Sequence, residues 1–199
     1  MEKKPVMIAV ATTGLDDDDE LIAVGLHAVP GYEMDEGWTS KVLCRHIDHD
    51  LLEKSAQHHG FTDKYLEDNA VSDEDFNAQL ANVLDNFETF TYNPAFQMKF
   101  LVKQLWLEGR FPHNLPQMFK YANMHLILDS KDTVTIDTLE TVASSSMVGR
   151  APSLKRLCDA NALEPLPPPA LPVESSVHQL ALIWEKLGNV DCQVQESLL

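Results

Sequence analysis

The chain has 199 residues, 44% of them hydrophobic and 23% charged, enough for one globular domain with a substantial core. Fifteen Lys and Arg face 31 Asp and Glu, a formal net charge of −16 at pH 7. Such a surface repels phosphate backbones, and with no Lys/Arg-rich run it disfavours nucleic acid as a partner.

Residues 5–11 read as a first strand, apolar and bounded by Pro5 and Gly14. Residues 20–29 read as a second, ended by Pro30-Gly31, and the acidic run Asp16 to Asp19 between them as a hairpin loop. "WTSKVLCRH", residues 38–46, alternates and supplies a third strand, giving a sequential antiparallel meander. "SDEDFNAQLANVLDNF" then sets Phe76, Leu80, Val83, Leu84 and Phe87 at helical spacing. Ser72 caps that helix, and the acids at 73–75 suit its positive end. "ETFTY" reads as a buried strand. "PAFQMKFLVKQLWLEG" reads as a helix with Pro94 in its first turn and Gly109 at its end. Short helices are expected at 136–146 and 152–162. Pro165 and Pro167 to Pro169 break the chain in a rigid loop. A final helix at about 174–187 carries Val177, Leu180, Ala181 and Trp184 on one side. The expected architecture is an α/β domain over residues 1–188, with a mixed sheet flanked by helices and a flexible tail at 189–199.

Cys44, Cys158 and Cys192 are far apart, odd in number and free of any CxxC pair. They argue against a disulfide framework and fit a reducing, cytoplasmic setting. Cys158 in "LKRLCDA" reads as core. No apolar run reaches the length of a membrane span, and "MEKKPVMIAV" reads as a strand, not a leader.

Five local words in order carry a resemblance. They are "AVATTGL", "DELIAVGLHAV", "HHGFTDKYLED", "FTYNPAFQMKFL" and "IDTLETVASSSMVGRAPSLKRLCDANAL". Together they resemble the DnaQ-like (DEDD-type) 3′–5′ exonucleases, over about residues 5–187. The resemblance implies an RNase H-like fold, with an antiparallel meander of three strands plus parallel strands. It also implies two-metal phosphodiester hydrolysis, in which four carboxylates hold a pair of divalent ions and a histidine takes a proton from water. The positions that match those carboxylates hold Ala9, Ala11, Gln97 and Ser176, and the matching base position holds Leu171. Alanine ligates nothing, and glutamine offers one neutral oxygen. The resemblance therefore implies a homologue without catalytic residues, metal or other cofactor. Such a chain is expected to bind or scaffold a protein partner or to self-associate, and its acidic surface suits a basic partner.

Two other uses of the same scaffold are weighed. One is a Mg²⁺- or Mn²⁺-dependent exonuclease with relocated ligands drawn from Asp16 to Asp19, Asp132, Asp137 and His178. The other is a non-cleaving nucleotide or strand-end pocket lined by Thr12, Thr13, Gly14, Leu15, Asn93 and Phe96. Against the first, an acidic run is ordinarily a solvated loop. "HIDHD" places His46 and Asp48 on one strand face and His49 on the other, so its donors, Asp50 included, do not converge on a metal. His58-His59 read as a turn at the old substrate rim, and a lone helical His178 as structural or exposed.

Overall fold

The structure is a computed structural model and describes residues 3–29, 31, 32, 34, 37–92, 94–107, 125–128, 134–137, 154–160 and 162–186. Strands β1 (Lys4–Thr12), β2 (Leu21–Ala28), β3 (Ser40–Cys44) and β4 (Phe87–Phe90) form one sheet in the order β3-β2-β1-β4. The first three are antiparallel in sequence, as the meander requires, and β4 runs parallel to β1. A separate hairpin pairs β5 (His125–Leu128) with β6 (Val134–Asp137). The helices are α1 (His49–His59), α2 (Asp63–Asn69), α3 (Asp73–Asn86), α4 (Pro94–Leu107), α5 (Leu154–Ala160) and α6 (Pro172–Lys186).

Central β1 is apolar without a break because helices cover both sheet faces. Val6 and Ile8 bury against Phe76, Leu80 and Leu84 of α3 and Phe100, Leu101 and Leu105 of α4. Met7, Ala9 and Ala11 point the other way, into a cluster with Leu52, Phe61, Leu66, Leu171, Val173, Val177, Leu180 and Ala181. Helix α3 starts as its sequence dictates: Ser72 Oγ accepts from Asp75 N at 3.1 Å and donates to Asp75 Oδ2 at 2.8 Å. Arg45 then ties α3 to the sheet, meeting Asp73 at 2.7 Å and Glu20 at 3.1 Å.

Several expectations need correction. Helices α1 and α2 lack a wide apolar stripe, and neither was foreseen. "HIDHD" leaves the strand after Cys44: Asp48 is the N-cap of α1, accepting from Asp50 N at 2.9 Å, and His49 begins the helix. His49 pairs with Asp63 of α2 at 2.9 Å. His58 and His59 are the last turn of α1 rather than a loop. Phe87 caps the end of α3 and opens β4. Residues 136 and 137 lie in β6, not a helix. The rest of the 136–146 expectation, and the tail at 189–199, fall outside the described residues.

His59 is buried, and its hydrogen bonds settle its tautomer. Phe61 N donates to Nδ1 at 3.0 Å, so Nε2 carries the proton and meets Ser55 Oγ at 3.0 Å, while that hydroxyl donates to Leu51 O at 3.0 Å. Burial holds its pKa below the ordinary histidine range. A depressed histidine stabilises the fold fully above about pH 6.5 and loses that contribution as pH falls through the folded pKa. The urea midpoint is expected to drop between about pH 7.5 and 5.5. His59→Gln should flatten that drop, and an equal drop in the variant would place the titrating group elsewhere.

Helix α6 crosses β2 at Gly25, where the helix backbone meets the sheet. A Cβ on Gly25 would lie 2.9 Å from Val173 Cγ2 and 3.0 Å from Val173 O. Gly25→Ala is therefore expected to cost about 1–3 kcal/mol by overpacking. Chemical unfolding measures it, and an unchanged midpoint would show that α6 can back away freely.

Candidate functional site

The register of β1 on β2 pairs Ala9 with Gly25 and Ala11 with Ala23. Four small residues thus form a shallow saddle on one sheet face, and α6 settles into it. Leu171, just before the helix, lies buried with Val173 and Val177 in the same cluster as Ala9 and Ala11. The local sequence explains the placement: Pro172 opens α6, and the Glu174 carboxylate reaches back to accept from Leu171 N at 2.7 Å. Ala9 and Ala11 are only 3% and 7% exposed.

Ser176 is half-buried and spends its hydroxyl within the helix, donating to Pro172 O at 2.9 Å. Gln97, on the first turns of α4, is 8% exposed, and its Oε1 has no hydrogen-bond partner among the described residues. A pair of divalent ions needs several anionic oxygens. Two methyl groups, a leucine, a self-bonded serine and one amide do not supply them, so these residues do not fit the metal pair of the exonuclease pattern. Among the described residues no three His, Cys, Asp or Glu side chains are grouped to share an ion.

Beside the saddle, the Thr-Thr-Gly-Leu segment turns its polar groups inward. Thr12 Oγ1 donates to Gly14 O at 2.6 Å. Thr13 Oγ1 donates to Asp19 Oδ1 at 3.1 Å and accepts from Glu20 N at 2.9 Å. Asp19 Oδ2 also accepts from Asp16 N at 2.7 Å. Gly14 lies so close to that carboxylate that a Cβ would sit 2.3 Å from Asp19 Oδ2. The acidic run is thereby folded around Asp19 and held by α4. Lys99 donates to Leu15 O at 2.9 Å and pairs with Asp17 at 2.7 Å, and Lys103 donates to the carbonyls of Asp17 and Asp19. The Lys99 hydrogen bond holds the Asp17 carboxyl below its ordinary pKa. Sequence reasoning missed both lysines; the signal was their i,i+4 spacing on a helix that packs beside four aspartates.

Leu15 projects from this loop, 74% exposed. Phe96 packs edge-on to Phe100 at 5.1 Å between centroids. Asn93 and Asp132 lie outside the described residues, and Asp137 is the last residue of β6. His178 sits on α6 beside His27, with ring centroids 5.6 Å apart. His27 pairs with Met7, whereas the acidic loop leaves from Thr12. Five residues of strand, about 17 Å, separate those levels of the sheet, so His178 does not join Asp16 to Asp19. Cys158 is buried, as is Cys44, and burial pushes both thiols up to about 11.

Restoring carboxylates tests how tightly the saddle is filled. Ala9→Asp places an unpaired charge against Leu171 and Val173 and is expected to cost about 3–5 kcal/mol. Thermal unfolding of Ala9→Asp/Ala11→Glu should show no recovery on adding Mg²⁺ or Mn²⁺. A metal-dependent rise in midpoint would mean that the cleft opens to ions.

No protein-family model matches the sequence, and no curated protein matches it. Solved structures do. Exonuclease I from Methylocaldum szegediense is similar over 93% of this chain and 41% of its own, at 12% identity and a TM-score of 0.57. E. coli exonuclease I in complex with a dA16 oligonucleotide is similar over 92% of this chain and 40% of its own, at 11% identity and a TM-score of 0.58. A chain in the structure of the yeast NOT1 MIF4G domain co-crystallised with CAF1 is similar over 93% of this chain and 80% of its own, at 16% identity and a TM-score of 0.53. The chain thus spans about two fifths of the length of the exonuclease I chains. At such identities the likeness is one of fold: a mixed sheet of antiparallel and parallel strands between helices, the RNase H-like α/β fold of the exonucleases.

Proposed function

We propose that this chain is an exonuclease-fold subunit that binds a protein partner and does not cut nucleic acid. The observation that carries this reading is the filled saddle: Ala9 and Ala11 lie under α6 in an apolar cluster with Leu171, Val173 and Val177. Where the exonuclease pattern calls for charged oxygens around two ions, this chain offers close-packed hydrocarbon, which excludes water and ions alike. The retained Thr-Thr-Gly-Leu segment is consistent with that use, because its hydroxyls close the acidic loop.

A net charge of −16 favours a partner with a basic face and a complex weakened by salt. Exonuclease folds are recorded with protein partners elsewhere: one similar structure is an ExoI/SSB-Ct complex. A protein partner is the principal use proposed for this chain.

The experiment is a 3′–5′ degradation assay on end-labelled single-stranded DNA and RNA with Mg²⁺ or Mn²⁺. The folded protein is expected to give no cleavage above an EDTA control. Cleavage that EDTA abolishes, and that Asp16→Asn or Asp137→Asn reduces about tenfold or more, would overturn the proposal in favour of an active site with relocated ligands.

A further inference from the structure

On the α6 side of the sheet, two histidines from different elements face each other. His27 lies near the end of β2 and His178 on the second turn of α6, with ring centroids 5.6 Å apart and planes tilted by 51°. His27 Nδ1 lies 2.7 Å from Ala28 O. A carbonyl only accepts, so Nδ1 carries the proton and Nε2 keeps its lone pair. Neither His27 Nε2 nor either nitrogen of His178 has a hydrogen-bond partner among the described residues. Both residues are half-buried and reachable from solvent.

We propose that His27 and His178 form a two-imidazole site for a late transition-metal ion such as Zn²⁺ or Cu²⁺, joining β2 to α6. The spacing is the first argument. A metal–nitrogen bond of about 2.0 Å, with roughly 1.1 Å more to the ring centre, puts two imidazoles on one ion about 5.1–5.5 Å apart at tetrahedral to trigonal angles. The observed 5.6 Å lies just outside that range. Donor chemistry is the second. Neutral imidazole suits Zn²⁺, Cu²⁺ and Ni²⁺ and is a poor ligand for Mg²⁺ or Ca²⁺. The carbonyl bond on the far nitrogen of His27 is the usual device that orients a ligating ring. The protein supplies two donors and solvent the remaining positions. This inference does not rest on the proposed loss of catalysis, because the pair lies away from the Ala11 end of β1.

The tag-free 199-residue chain titrated with ZnCl₂ tests it by calorimetry. One equivalent is expected to bind with a rise in thermal midpoint. His27→Gln and His178→Gln should each weaken binding about tenfold or more, while His46→Gln/His49→Gln leaves it unchanged. Cu²⁺ electron spin-echo spectra of the wild type read the ligands without any variant, and two coupled imidazoles are expected. Binding unchanged in both single variants, no binding at micromolar ion, or a spectrum with one imidazole or none would each overturn the proposal.

Discussion

The contact of α6 with the sheet governs the rest of this molecule. A helix can lie directly on two strands only where side chains between them are small. Here Gly25 lets Val173 approach to the limit of backbone contact, and Ala9, Ala11 and Ala23 continue the depression along β1 and β2. Ala9 and Ala11, which stand where the exonuclease pattern has carboxylates, also make room for the helix. A charged residue at position 9 or 11 would need both water and a counterion, and the seated helix admits neither.

With 31 acidic residues against 15 basic, like-charge repulsion has to be managed locally. The acidic loop is managed by two lysines one helical turn apart, which bond loop carbonyls as well as the Asp17 carboxylate. Bonds to carbonyls persist where salt screens an exposed ion pair. The four aspartates form a folded turn around Asp19, and they leave Leu15 at its edge, exposed. Arg45 plays the corresponding part on the other side, gathering Asp73 and Glu20 where α3 meets the sheet.

Much of the fold was legible because local signals and burial agreed. The meander, the capped α3 and its face of Phe76, Leu80, Val83 and Leu84, and the proline-started α4 all follow from periodicity and end chemistry. Helices α1 and α2 were not legible, for a physical reason: their buried residues are few, Leu52, Ser55 and His59 in one and Leu66 in the other. So little apolar periodicity reads as loop. The "HIDHD" run misled in the same way, since Asp48 is a cap whose role shows only once the helix after it is known. The resemblance located Ala9, Ala11, Gln97, Leu171 and Ser176, but it did not say what fills the space they leave.

The sequence by itself determined the three-strand meander, α3, α4 and α6, the acidic balance and the side chains at the exonuclease-pattern positions, because each is a property of composition or of neighbours within a few residues. Only the tertiary structure decided that α6 closes over Ala9 and Ala11, that Lys99 and Lys103 claim the acidic loop, that His59 is a buried tautomer-locked bond, and that His27 and His178 meet. Except for the His59 bonds, which stay within α1 and the turn after it, each of these joins residues from separate elements. Their distances depend on strand register and on how closely a helix can approach the sheet, and no local pattern encodes either.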